Sequence, residues 1–503
     1  MPYYRAYINQ NNIGAIIMSF IRHKKSKNGK AYAYEVTSVW DSEKKYSRSL
    51  SKYVGVVSDD GGVVPKGVSP KGRKPKAKEL HGIKENLILD FGDGFIVSES
   101  IKKSSIYKPL EDIFINKPEM MTLMAYRLCQ SGPMYNCSLW IQGSILATTT
   151  KEFSVSSQSI SKLLSYLGDE SVQRSFFQSY LATESVDGKN VIIDATSLPN
   201  QINSDFNAWG YSDGGIEEQF RLHCVVDQIK KRPLYYRHVP GNLADVSSLQ
   251  VTMQELQALG VKQSFALVDS GYCSAENILL LRDANIDFLT RLPAGRKIYK
   301  EMIDSKAKNL ETLANSFTYG KRALFVKLEE VEDLYGAKGY LYMILDPQRK
   351  AKEIEKLLQS RHENPKERVE KQDESDFKQA GIFMLISSKK IAEKDVLETY
   401  YTRGAVEQIF GFAKSDLALL PIRCHSDATV RGYLFLQFLL LIVFIEMREK
   451  LLNDFTVEQA IMIMKTLKCK IYGKDIVISD LTKKHKKIVE LLSVIVPINL
   501  SGI

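Results

Sequence analysis

The chain opens with strand-like alternation. Ala31-Tyr-Ala-Tyr-Glu-Val-Thr-Ser-Val-Trp40 sets small or polar residues against aromatic and β-branched ones, and Lys27-Asn-Gly-Lys30 before it supplies a tight turn. Residues 1–108 therefore read as a β-containing, irregular region. From 109 to 187 the period lengthens. Apolar residues recur every three or four positions over Glu119–Cys129 and Ile160–Leu167, and a serine near 157 can cap the second run, which predicts a helical connector. Between 188 and 292 short apolar strands alternate with helical stretches. Strands are expected at Asn190–Asp194, Phe220–Asp227 and Pro233–Val239, then a helix from Asp245 to about Leu259. Strand Ser264–Asp269, helix Ala275–Asp283 and strand Asp287–Arg291 follow. From 293 to 390 the strand candidates are Ala323–Leu328, Gly339–Leu345 and Gly381–Ser387. They are separated by the charged run Gln348–Gln379, a solvated helix or excursion. Residues 391–450 return to helix, and 451–503 read as a basic, helical C-terminal piece. The apolar run Tyr433–Ile445 contains Gln437 and is too short to span a bilayer, so it reads as a buried core helix and no membrane partner is expected.

Three strands, a helix, a strand, a helix and a strand is the order of an RNase H-like α/β core. The expectation is such a core over 188–292, interrupted by a β-rich insertion over 293–390 and completed over 391–450. At 503 residues the chain exceeds one hydrophobic core. Its six scattered cysteines form no C-x-x-C pair, so neither a disulfide framework nor a zinc site is indicated. With no apolar leader after Met1, a cytoplasmic protein, at the bacterial nucleoid, is expected.

Charge changes the picture. The net charge is +10, and residues 1–80 hold sixteen Lys and Arg against six Asp and Glu, so the rest of the chain sums to zero. Such segregation points to a polyanion. Its densest part, Pro65–Lys78, carries Lys71, Arg73, Lys74 and Lys76 among three prolines. It reads as an extended basic arm for DNA, with an untethered loop as the alternative.

Asp194 and Asp269 each close an apolar strand. One such Asp commonly caps a turn. Two on neighbouring strands are costly unless a cation neutralises them, and Mg²⁺, which prefers oxygen donors, fits best. In Tyr400-Tyr-Thr-Arg-Gly-Ala-Val-Glu-Gln-Ile-Phe-Gly-Phe-Ala-Lys414, one continuous helix at about 100° per residue would put Tyr400, Arg403, Glu407 and Lys414 on one stripe. Glu407 could then ligate the ion while Arg403 and Lys414 hold phosphate oxygens. The plainer reading is a surface helix with an i,i+4 pair, and Gly404 weakens the helix.

These residues resemble the DDE transposases of bacterial insertion sequences, in particular the insertion-sequence-four group. That group's Tyr, two residues, Arg, three residues, Glu, six residues, Lys signature is matched by Tyr400, Arg403, Glu407 and Lys414. Val191-Ile-Ile-Asp194-Ala-Thr196, Leu267-Val-Asp269-Ser-Gly-Tyr272 and the Gly241-Asn242 loop before Asp245 are similar to its other motifs. The resemblance implies catalytic and metal-ligating roles for Asp194, Asp269 and Glu407 with two Mg²⁺ ions, Mn²⁺ substituting. It implies DNA contacts for Tyr400, Arg403 and Lys414. It further implies terminal inverted repeats and target DNA as partners, a homodimer pairing two ends, and cut-and-paste transposition. Trp209 is a candidate for stabilising a flipped base, though a packed core Trp is the commoner fate of such a residue. The rivals are an RNase H-like nuclease or resolvase that cuts without joining, and a DNA-binding relic that no longer cuts. A two-carboxylate glycosidase is a third, but it leaves the charge segregation without a reason.

Overall fold

The computed structural model describes residues 5–6, 18–26, 29–41, 46–58, 61–65, 87–113, 117–148, 154–184, 187–212, 215–243, 245–363, 370–424, 426–472 and 475–497. Two compact units divide the chain, Met1–Lys84 and Glu85–Ile503. The first unit thus ends earlier than the expected boundary at 108. Residues 87–108 pack in the second unit, where the backbone amides of Phe91 and Gly92 donate to Leu467 O.

The first unit is an antiparallel sheet in chain order: β1 (Arg5–Ala6), β2 (Met18–Lys25), β3 (Ala31–Asp41), β4 (Tyr46–Val57) and β5 (Val63–Pro65). Before β3, Gly29 at φ 76° donates its amide to Ser26 O and Ser26 N donates to Lys30 O; Lys27 and Asn28 of the expected turn lie outside the described residues. On β2, Arg22, His23, Lys24 and Lys25 are all exposed. The arm residues Lys71, Arg73, Lys74 and Lys76 lie outside the described residues.

The second unit begins with β6 (Leu87–Asp90) and is built on a ten-stranded mixed sheet. Its strands are β7 (Asp187–Pro199), β8 (Ala208–Ser212), β9 (Gly215–Asp227), β10 (Pro233–Pro240), β11 (Lys262–Val268), β12 (Asp287–Leu292), β13 (Ser316–Tyr319), β14 (Arg322–Val331), β15 (Gly339–Leu345) and β16 (Ile382–Ser387). The order is β10-β9-β7-β11-β12-β16-β15-β14-β13, with β8 hairpinned onto β9. β7, β11 and β12 run parallel at the centre. Their cores, Val191–Ile193, Phe265–Val268 and Phe288–Leu289, are fully buried apolar runs, as a sheet covered on both faces requires. The strands of the expected insertion do not form a separate sheet. They extend this one through the antiparallel pairing of β12 with β16.

Helix Asp427–Leu451 runs through the core, capped by a reciprocal Ser426–Thr429 box. By length and composition it could cross a membrane, but 83% of its most apolar window is buried inside the protein. Burial accounts for the apolar run without a bilayer. The helix crosses Ser157–Leu167 at backbone contact. A Cβ on Gly432 would stand 1.8 Å from Leu164 O, and one on Gly168 would stand 1.9 Å from Ala428 O.

The C-terminal piece is only partly helical. β17 (Lys468–Tyr472) and β18 (Asp475–Ile478) form a hairpin, and β17 also pairs with β6. Five residues with two lysines are too few to show a period, and the partner strand lies some 380 positions away.

Candidate active site

The parallel pairing of β7 and β11 ends at Ile193 opposite Val268. Asp194 and Asp269 are the next residue on each strand, so the sheet sets them side by side where its two central strands part. Asp194 is not a strand end, as the sequence suggested. β7 continues to Pro199, paired only with β9, and Asp194 lies opposite Cys224. Asp269 leaves β11 and opens the tight turn Ser270–Tyr272.

The third carboxylate arrives on a broken helix. The expected single helix is two, Glu393–Tyr401 and Gly404–Gly411, followed by a π-helical turn over Phe412–Asp416. The joint at Thr402-Arg403 is tight: Arg403 N donates to Tyr400 O and Val406 N to Arg403 O, both three residues back. Gln228 Nε2 pins it by donating to Thr402 Oγ1 at 2.9 Å. Ala405, Val406, Ile409 and Phe410 bury the inner face of the second helix, which packs on β7 and leaves Glu407 on the outer side.

The joint carries Arg403 into the gap between the carboxylates. Its Nη1 lies 2.9 Å from Asp194 Oδ2 and 3.3 Å from Asp269 Oδ1, and its Nη2 lies 2.9 Å from Glu407 Oε1. One guanidinium therefore gathers all three sequence-predicted acids. Among the described residues, no three His, Cys, Asp or Glu side chains are grouped as a ready-made metal cluster. The three acids meet on Arg403 instead.

Of the remaining signature residues, Tyr400 is buried behind Arg403, and burial pushes its phenol above the ordinary value. Lys414 is half-buried in the π-helical turn. Arg403 and Glu407 thus share one face, and Lys414 sits in the π-helical turn that follows their helix.

Burial decides the electrostatics. Asp194 has a side chain only 12% exposed. Burial raises its pKa to about 6. Arg403 and the Ala195 amide oppose that rise, while Asp269 and Asp245 add to it. Burial also works against the charge on Arg403, but Asp269, Asp194, Tyr400 and Glu407 together outweigh it and hold the guanidinium above its ordinary value. At Asp194 desolvation therefore outweighs the neighbouring arginine.

Sequence reasoning missed what lies beneath. Arg221 on β9 pairs with Asp245 at 2.7 Å, and Asp245 is itself pushed up by burial. His223, two residues along β9, is 1% exposed, and its Nδ1 lies 2.7 Å from the Tyr272 hydroxyl. Arg and His at alternate positions of the otherwise apolar stretch Phe220–Val226 were the available signal. Trp209 also departs from expectation. It is 64% exposed beside Tyr211 and Ile216 on one face of the β8–β9 hairpin, not packed in the core. The Gly241 loop lies against that hairpin so closely that a Cβ would meet Ala208 O at 2.4 Å.

Comparison with known proteins gives a family. The family described as "Transposase DDE domain" has a model that matches residues 187–443, just over half of the chain. A search of curated proteins finds no match. Among solved structures, a cryo-electron-microscopy structure of piggyBac transposase in a synaptic complex with hairpin DNA aligns with 79% of this chain and 76% of that one. The identity is 11% and the TM-score 0.37, too distant to bear on the reading of the site.

Proposed function

The chain belongs to the family of transposases with a DDE domain, and on that premise we propose that Asp194, Asp269 and Glu407 are its catalytic carboxylates. The observation that carries this is the convergence of all three on one cationic centre, from two adjacent strands and a helix more than a hundred residues away. The strand order β10-β9-β7-β11-β12, with β7, β11 and β12 parallel, supports an RNase H-like core.

DDE transposases generally use divalent metal ions. The donors here are oxygen alone, and burial leaves Asp194 in need of a cation, so the residues fit a hard ion. In this reading Asp194, Asp269 and Glu407 hold Mg²⁺, in two ions with Mn²⁺ as a substitute. Bound there, the metal supplies charge stabilisation to the entering and leaving oxygens of a phosphodiester. Arg403 touches every one of these acids and is the nearest donor to a phosphate presented to them. Its planar fork suits a phosphate better than an ammonium would. Tyr400 backs Arg403, and Lys414 adds a cation farther along the chain. The fold excludes water from the inner side of Asp194 through Val191–Ile193 and the buried face of helix Gly404–Gly411.

The substrate is double-stranded DNA: the terminal inverted repeats of an insertion sequence of the insertion-sequence-four group, then target DNA. Two ends are paired by a homodimer, and transposition is cut-and-paste. The basic first unit, with Lys71, Arg73, Lys74 and Lys76 beyond its sheet, supplies sequence-independent affinity.

The test incubates the protein and Mg²⁺ with a labelled duplex bearing the repeats that flank its gene. Cleavage at the repeat boundary followed by joining of the freed 3′ end to other DNA supports the proposal. Cutting without joining refutes it in favour of a nuclease.

A further inference from the structure

Asp269 stands on a short turn closed by Tyr272 N donating to Asp269 O at 3.0 Å, a local bond that does not by itself fix the turn against the sheet. That is done by a buried polar group on the opposite side of the sheet from Arg403. The Tyr272 hydroxyl lies 2.7 Å from His223 Nδ1, and Ser248 Oγ lies 3.2 Å from the same nitrogen while donating to Asp245 O at 2.8 Å. All three side chains are at most 1% exposed. Asn277 Nδ2 donates to Tyr272 O at 2.9 Å, and Thr290 Oγ1 donates to Asp269 O at 3.2 Å. Asp245, fixed by Arg221, presses on the turn from the side. The approach is close: a Cβ on Gly271 would stand 3.1 Å from Asp245 Oδ2, a tight contact.

Packing alone does not call for such a group. His223 Nε2 has no hydrogen-bond partner among the described residues, and an unmet buried polar atom is destabilising. An apolar pair of the same shape would avoid that cost. What the polar pair supplies is direction. β9 registers Asp194 through Cys224 and, one residue away, holds the turn of Asp269 through His223. A single strand therefore sets both carboxylates relative to one another.

From this geometry we propose that Tyr272, held by His223 and Ser248, is a positioning residue that sets the Asp269 carboxylate at its working distance from Asp194. The proposal rests on the assignment of Asp269 as a metal ligand. Outer partners of metal ligands typically change metal affinity about 10–100-fold when removed. Tyr272→Phe is expected at the low end, about tenfold.

The experiment is a Mn²⁺ titration of the full chain, followed by electron paramagnetic resonance of the free ion. It compares the native protein with Tyr272→Phe, the double variant His223→Phe with Tyr272→Phe, and Asp269→Asn, and records a melting curve for each. The double variant replaces the polar pair with an apolar one, so it should melt at or above the native temperature. The proposal expects it to bind Mn²⁺ about tenfold more weakly nonetheless, as Tyr272→Phe does. Native Mn²⁺ affinity in the well-folded double variant overturns the proposal. If Asp269→Asn weakens binding in that case, the site assignment survives and only the positioning role falls. If Asp269→Asn also binds normally, both fall.

Discussion

Asp194 gives the account a thermodynamic consequence that needs no DNA. Its pKa is about 6 in the folded chain against 3.8 in an unfolded one, chiefly through burial. Between about pH 4 and pH 6 the folded state therefore holds more protons than the unfolded state. Stability must fall as the pH rises through that window and level off above it. A displacement of about two pKa units at 1.36 kcal/mol each is a loss of about 3 kcal/mol. Asparagine at this position has no proton to lose, so Asp194→Asn should escape the loss. With about 2 cal/mol/K of unfolding entropy per residue over a unit of roughly 400 residues, 1 kcal/mol moves the melting temperature by about 1 °C. Scanning calorimetry in excess EDTA should show the variant's melting temperature gaining about 3 °C on the native protein between pH 4 and pH 7. Titrating groups that do not couple to Asp194 are common to both proteins and cancel. A difference that stays flat with pH, or shrinks as pH rises, would refute the burial argument for this site.

Four other outcomes follow from the same structure. Arg403→Gln leaves three acids without their cation. It should lower stability in EDTA at neutral pH by about 3 kcal/mol, the scale of losing one partner of a buried pair, and an unchanged calorimetric melt would count against the convergence. Gly432→Ala drives a methyl into Leu164 O and should cost about 3 kcal/mol or more; a loss under about 0.5 kcal/mol in thermal unfolding would contradict the backbone contact between the two helices. Trp209→Ala should change stability by less than about 0.5 kcal/mol because the ring is exposed, whereas several degrees lost on melting would return it to the core. Removing residues 1–84 should leave the second unit folded and flatten the salt dependence of DNA binding, and an unaltered salt slope would strip the first unit of its electrostatic role.

How far the site could be read in advance depended on distance along the chain. Val191–Ile193 before Asp194 and Phe265–Val268 before Asp269 are unbroken apolar runs. Runs of that length between polar ends have few fates other than neighbouring buried strands. The spacing from Arg403 to Glu407 is a one-turn neighbour relation that survives a distorted helix, so their pairing was legible too. The π-helical turn over Phe412–Asp416, which carries Lys414, was not, because the choice between α and π pitch leaves no local pattern in the sequence. The break at Thr402 was misplaced for a like reason. Gly404 drew attention as the weak point, while the joint is held two residues earlier, at Thr402, by Gln228, which is remote in sequence. β8 went unseen because Ala208-Trp-Gly-Tyr-Ser212 shows its aromatics to solvent, which inverts the usual link between apolar residues and burial. The His223–Tyr272 pair and the pairing of β17 with β6 are tertiary choices with no local pattern to reveal them.

The most direct measurement of the central claim cuts end-repeat DNA in Mg²⁺ with the native protein and with Asp194→Asn, Asp269→Asn and Glu407→Gln. The affinity of each for the same duplex is measured alongside in EDTA. The account predicts that every substitution abolishes cleavage while DNA affinity stays within a few-fold of native. Cleavage at the native rate by any one of the three variants would contradict it.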